Sequence, residues 1–249
     1  MDKDHIYLEW GKGERNIVFL HYFGGSAQSW QWVAEKLFLD FRCIALNLPG
    51  FGNTLPLENP SIAGFAQWIH KQLVLLDIFD CTIVGHSMSG KIALQLAATQ
   101  TEIEIDHLVL LAPSPPTYEP MPQAERERML IHPDRKEAEQ TVKQATVKKL
   151  TPERKELAIE TQLIIDSTTW RWWLQKGMQH SIAELMPQVD VPTTLLVSED
   201  DPVISIETVQ KEIVPFLPKA QLILARNTGH LIPLEDPDWV AEQIKNIAK

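Results

Sequence analysis

The chain has 249 residues, 44% of them hydrophobic, which is enough to bury a substantial core in one or two domains. Its 33 acidic residues against 23 Lys and Arg give a formal net charge of −10, which argues against a nucleic-acid partner held by clustered basic side chains. Two cysteines, no signal-peptide pattern at "MDKDHIYLEW" and no bilayer-length apolar run point to a soluble, cytoplasmic protein with no membrane partner.

In chain order, "HIYLEW" predicts a strand, "GKGE" a turn and "NIVFLHY" a second strand. Helical spacing in "SWQWVAEKLF" precedes a short strand in "FRCIALNLPG", where Cys43 reads as a buried structural thiol. "SIAGFAQWIHKQLVLLDI" predicts a helix capped by Ser61, with an apolar stripe through Phe65, Ile69, Leu73 and Leu76. "CTIV", holding the second buried thiol Cys81, then "KIALQLAAT" and "HLVLLAP" read as strand, helix and strand. Later come "TTLLVSE" (strand), "SIETVQKEIVPFL" (helix), "QLILARN" (strand) and "DPDWVAEQIKNIAK" (helix). Short, continuously apolar strands alternating with helices imply an α/β fold, a mostly parallel twisted sheet covered by helices on both faces.

Residues 114–191 interrupt this rhythm. "PSPPTYEP" excludes a helix interior, since its prolines lack donors and clash with the preceding turn. "QAERERMLI", "KEAEQTVKQATVKKL", "TPERKELAIETQLII" (Thr151 as N-cap, Pro152 at the first helical position) and "DSTTWRWWLQKGMQHSIAEL" then predict helices. The expected organisation is a core of residues 1–113 and 192–249 with an all-helical insertion, 114–191, between two of its strands.

"CTIVGHSMSGKIALQLA" holds two serines at a strand-to-helix junction. A nucleophile there needs small residues two positions before and two after it, because the turn is cramped, while the helix N-terminus offers free amides to an oxyanion. Ser87 is flanked by Gly85 and Ser89 and meets that rule. Ser89 is flanked by Ser87 and Lys91 and does not.

With these residues the chain resembles the α/β-hydrolase superfamily, in its small serine esterase-like branch with a helical cap, over nearly its whole length. Ser89 stands where the G-x-S-x-G pattern has its last glycine, a change that Gly90 beside it is expected to accommodate. The resemblance implies a nucleophile–acid–histidine order. Within "LLVSEDDPVIS" it points to Asp201, three residues after Ser198, with Asp200 as the local competitor. "GHLIPLEDP" resembles the G-H-x-x-x-x-E-x-P run and implies His230 as the base. Among the other histidines, His5, His70, His107, His132 and His180 read as strand or helix residues, and His21 and His86 as loop residues beside the nucleophile. "HYFGG" resembles the H-G-x-x-G loop with Tyr22 in place of glycine, and implies oxyanion donors at the backbone amides of Phe23 and Met88.

These residues imply hydrolysis of a small-molecule ester through an acyl-enzyme, with no cofactor and no metal. Other chemistry on the same residues (carbon–carbon bond hydrolysis, perhydrolysis, hydroxynitrile lysis) and a ligand receptor with vestigial turnover are the rival readings. Tyr22, Met129, Trp170 and Trp173 are candidate pocket residues, with Met178 nearby in sequence. Adjacent Trp172 and Trp173 cannot face the same way on a helix.

Overall fold

A run that is apolar at every position is stable only between two layers, and the strands here obey that constraint. The structure, a computed structural model, describes residues 6–99 and 102–248. His5, expected to open the first strand, lies outside the described residues. The strands are β1 (Tyr7–Trp10), β2 (Arg15–Leu20), β3 (Phe41–Leu46), β4 (Asp80–His86), β5 (Glu104–Leu111), β6 (Thr193–Ser198) and β7 (Gln221–Ala225). They form one sheet in the order β1-β3-β2-β4-β5-β6-β7. β1 runs antiparallel to β3 and every other pairing is parallel. This is the mostly parallel α/β architecture that the alternation of elements predicts.

Alternate strand residues feed two cores. On one face α1 (Gln31–Leu37) and α10 (Pro237–Ile247) pack with Ile17, Phe19, Cys43 and Val84. On the other, α2 (Ile62–Leu75), α3 (Met88–Thr99) and α8 (Ile206–Glu212) pack with Val18, Leu20, Cys81 and Ile83. Burial pushes the thiols of Cys43 and Cys81 up to about 12, so both stay protonated and inert. Ser61 caps α2 through the amide of Gly64, as its position predicts. Among the described residues no helix is long and apolar enough to cross a membrane.

Between β5 and β6 lie α4 (Gln123–Met129), α5 (Arg135–Ala145), α6 (Pro152–Leu163) and α7 (Ser167–Trp172), then a wide π turn at Trp173–Gly177 and a 3-10 turn at Ala183–Gln188. Thr151 caps α6 with Pro152 behind it, as expected. Other boundaries differ from the sequence expectation. α5 stops at Ala145 and does not run through "TVKKL", because the amides of Val147 and Lys148 turn aside to donate to the Glu235 carboxylate. α8 stops at Glu212, since Pro215 permits only a 3-10 turn beyond it. His132 and His180 lie in irregular segments and not on helices.

This helical segment docks on the sheet at the loops that follow β2 and β7. Ala138, Val142, Ala158 and Ile159 pack against Tyr22, Leu231 and Leu234. Glu235, in the short helix α9 (Ile232–Glu235), accepts from Val147 N at 2.9 Å, Lys148 N at 2.7 Å and Gly229 N at 2.8 Å. At Gly229 a Cβ would fall 2.7 Å from the Ala145 carbonyl oxygen and 2.8 Å from Val147 N, both backbone atoms with no room to yield. Gly229→Ala is therefore expected to lower stability by about 1–3 kcal/mol, measured by urea unfolding. An unchanged midpoint would show that the two segments are not in this contact.

Candidate active site

Ser87 occupies the single residue between β4 and α3, at φ +54°, the left-handed region that side chains ordinarily avoid. Such a residue costs on the order of 1–3 kcal/mol and persists only when its surroundings over-determine it. Here Ser87 N donates to Leu111 O at 2.9 Å, while Ser87 O accepts from Gly90 N at 2.8 Å and Ser114 N at 2.9 Å. At about 1 kcal/mol each, these bonds are of the size needed to hold the turn. The crowding argued from sequence is present: a Cβ on Gly85 would lie 2.7 Å from the Ser89 carbonyl oxygen. Ser89 is fully buried and its hydroxyl donates to His21 O, tying the Ser87 turn to the loop after β2. At Gly90 a Cβ would meet Pro113 Cβ at 2.5 Å, so the missing side chain admits the segment leaving β5.

His230, in the loop after β7, brings Nε2 to 2.8 Å from Ser87 Oγ and Nδ1 to 2.8 Å from Asp201 Oδ2. The other oxygen of Asp201 accepts from Val203 N at 2.7 Å and Ile204 N at 3.0 Å, which fixes the carboxylate's orientation. Asp200 is exposed and turned away, accepting from Asn227 N at 2.8 Å. His230 N donates to Ala145 O and His230 O accepts from His86 Nε2, both at 2.8 Å. Burial holds His86 well below the ordinary histidine range and His21 at about 4, so both are neutral braces. His21 accepts from Leu48 N at 3.1 Å through Nε2, leaving Nδ1–H to donate to Tyr22 O at 2.8 Å.

Burial alone would lower the pKa of His230. The charge of Asp201 and its hydrogen bond, with Glu119 and Glu235 further off, more than reverse that effect and hold the imidazole above 6.5. The remaining described histidines have other partners: His70 faces Glu102 at 3.6 Å, His107 meets the Thr194 hydroxyl, His132 stacks on Trp170, and His180 offers its carbonyl to Lys91 Nζ.

Ser87 and His230 open onto a cavity of about 330 Å³ whose walls include Tyr22, Phe23, Met129, Trp170 and Trp173. Trp172 turns the other way, against Phe65 at 5.1 Å, as helical geometry requires of adjacent residues. Met178 is buried in the core and is not among the residues around the cavity. The Tyr22 ring lies beneath Gly24 and Gly25: a Cβ would approach it to 3.0 Å at Gly24 and 2.6 Å at Gly25. Those glycines therefore let a tyrosine stand where the loop pattern has glycine. Phe23 follows β2 at the cavity wall, and Met88 opens α3, where helix amides have no intrahelical acceptor. Among the described residues no group of three or more His, Cys, Asp or Glu is arranged to hold a metal ion.

Sequence reasoning missed Glu119, Met121, Val142, Gln162 and Leu231 on the cavity wall, and the buried Lys91 behind it. Nothing in their local sequence marks them. Glu119 follows a proline-rich connection, and Lys91 enters the sequence reading only as the bulky neighbour that disfavours Ser89.

A search of known families matches residues 17–243 to the alpha/beta hydrolase family. The chain is 34% identical over 100 residues to the pimeloyl-[acyl-carrier protein] methyl ester esterase of Aeromonas salmonicida, covering 40% of this chain and 38% of that one. It is 30% identical over 125 residues to the 2-succinyl-6-hydroxy-2,4-cyclohexadiene-1-carboxylate synthase of Shigella dysenteriae, covering 50% and 49%. These matched stretches span half or less of each relative's length. Among solved structures, an esterase from Exiguobacterium antarcticum superposes with a TM-score of 0.89 over 97% of this chain and 94% of that one. At 15% identity that likeness speaks for the fold alone. The family match runs from β2 to α10 and takes in Ser87, Asp201 and His230: the chain belongs to the alpha/beta hydrolase family.

Proposed function

We propose that this protein hydrolyses small to medium carboxylic esters, thioesters and lactones included, with Ser87 as nucleophile, His230 as base and Asp201 as the carboxylate that orients it. The observation that carries this reading is the unbroken hydrogen-bonded chain from Ser87 Oγ through His230 to Asp201, ending at an apolar cavity. Ser87 Oγ attacks the ester carbonyl as its proton passes to His230 Nε2. The Nδ1–H bond to Asp201 holds the required tautomer and stabilises the imidazolium that forms. Oxygen charge developing on the carbonyl is taken up by the amides of Phe23 and Met88. The imidazolium then protonates the departing alcohol, and a water activated by the same imidazole releases the acid from Ser87. Residues 114–191 act in this scheme as a cap that keeps bulk water from the cavity.

Ester cleavage is favoured over the rival carbon–carbon bond hydrolysis by the cavity wall. Among the described residues around it there is no Lys or Arg, hence no counter-ion for a substrate bearing carboxylates such as the synthase's name implies. Graded p-nitrophenyl esters should be cleaved, with short to medium acyl chains preferred, while a carboxylate-bearing meta-cleavage diketone should not. Turnover of the diketone alone would reverse the reading.

Ser87→Ala should cut p-nitrophenyl ester turnover by at least about 10³-fold while leaving the unfolding curve unchanged. Near-normal turnover in that variant would refute the nucleophile. The base must be neutral to accept a proton, and His230 is held above 6.5, so kcat/KM should fall as pH drops through a midpoint higher than that value. Asp201→Asn should lower turnover by about 10³- to 10⁴-fold and move the midpoint down. A wild-type midpoint at or below 6 would contradict the imidazole–carboxylate pair as the source of the pH dependence.

A further inference from the structure

Most polar side chains around the cavity are already committed. Glu119 pairs with the buried Ser114 hydroxyl. Glu125 is held by Arg128, whose Nε donates to its Oε2 at 3.0 Å. Thr141 accepts from Arg128 Nη2 and donates to Glu137 O, both at 2.9 Å. The Tyr22 hydroxyl is sealed inside the protein, and Gln144 stands in solvent. Gln162, in the last turn of α6, differs from all of these. It is 3% exposed and lies on the cavity wall, and only half of its side-chain amide is engaged.

Gln162 Nε2 donates to Ala158 O at 3.2 Å, one helical turn back. That bond fixes the amide's orientation, since the reverse one would set two carbonyl oxygens against each other. The main-chain carbonyl of Gln162 faces another way, accepting from His132 Nε2 at 2.8 Å and Ile165 N at 3.3 Å. Oε1 accepts from no donor among the described residues and is not one of the sealed side-chain atoms. A Cβ on Gly24 would fall 2.9 Å from Gln162 Cγ and 3.2 Å from Cδ, so the amide lies across Gly24. Gly24 is itself on the cavity wall and follows Phe23, whose amide is the proposed oxyanion donor. The free acceptor therefore opens into the cavity close to where a scissile carbonyl would sit.

The rest of the wall is largely apolar, with Phe23, Met129, Trp170, Trp173 and Leu231 on it. A carbonyl oxygen in such a wall discriminates by what it is left facing. A hydroxyl satisfies it, whereas an alkyl group strips its water and returns no hydrogen bond. We propose that Gln162 Oε1 is a specificity determinant for substrates that carry a hydroxyl a few bonds from the scissile carbonyl, the O–H donating to Oε1. The preferred substrates are then hydroxylated esters, and analogues with a methyl in place of that hydroxyl are poorer, because a site built around a hydrogen bond rejects a ligand that leaves it unmade.

This proposal deepens the esterase reading and rests on it for treating the cavity as the substrate pocket, and ketones, which keep the carbonyl but have no scissile bond, test it separately. 4-Hydroxy-2-heptanone and 4-methyl-2-heptanone differ by a hydroxyl for a methyl. Both should be titrated into the wild-type protein and into Gln162→Leu, following intrinsic tryptophan fluorescence. An apolar cavity alone would favour the methyl ketone, because dehydrating the hydroxyl would go uncompensated. With Oε1 as acceptor, the hydroxy ketone is expected to bind the wild type at least about fivefold tighter. In Gln162→Leu the order should reverse, with the methyl ketone at least about twofold tighter. Equal or weaker binding of the hydroxy ketone by the wild type overturns the proposal, as does an undiminished hydroxyl advantage in a folded Gln162→Leu. Should that variant fail to fold by circular dichroism, the wild-type ratio decides alone. Wild-type turnover of p-nitrophenyl acetate reports on the esterase reading, so the two can fail independently.

Discussion

The whole arrangement depends on one residue held in a backbone conformation it would not choose. At φ +54° the Ser87 side chain stands off the end of the sheet, where an imidazole from another part of the chain can reach it. The hydrogen bond that Ser87 N donates to Leu111 O, those that Ser87 O accepts from Gly90 N and Ser114 N, and the absence of a Cβ at Gly85 hold that conformation. The hydroxyl of Ser89 adds a tie to His21 on the neighbouring loop. These partners come from β4, from β5 and the residues just after it, from α3 and from the loop after β2, so the turn is held from four sides of the chain path.

His230 depends on the helical segment in a similar way. Its amide donates to Ala145 O at the end of α5, and the next residue back, Gly229, donates to a Glu235 carboxylate shared with Val147 and Lys148. Burial raises the pKa of Glu235, while the backbone donors pull it down and hold the charge in place. Hydrogen bonds to an ionised group are worth about 1.5–3 kcal/mol each, so three backbone donors on one carboxylate tie the helices after β5 to the loop of His230. The Lys148–Asp236 ion pair lies beside it.

Lys91 makes a second link on the opposite side. Burying an ammonium is costly, and burial pulls its pKa to about 8. Its donors reach Thr117 near the start of the helical segment and His180 near its end, so one buried cation on α3 gathers the two connections of that segment. Helices that carry much of the cavity wall are thereby fixed to the same two elements, α3 and the β7–α10 loop, that carry Ser87 and His230. Cavity shape and the Ser87–His230 geometry are set together.

The alternation of apolar strands and helices and the size rule at Ser87 were legible in sequence, because both arise from constraints between residues close together along the chain. The Ser61 and Thr151 caps were legible for the same reason. The choice between Asp201 and Asp200 rested on a family pattern. In the folded chain it turns on Val203 and Ile204 amides directing one carboxylate inward and an Asn227 amide holding the other outward. The early end of α5, the duty of Gly90 toward Pro113, and the places of Glu119 and Lys91 left no local mark. Each is decided by contact with a segment distant in sequence. Sequence alone therefore determined the sheet and the position of a strained serine, since periodicity and steric size are local. Only the tertiary structure decided which carboxylate, which cavity wall and which buried charges accompany that serine, because burial and hydrogen-bond partners exist only after distant segments have packed.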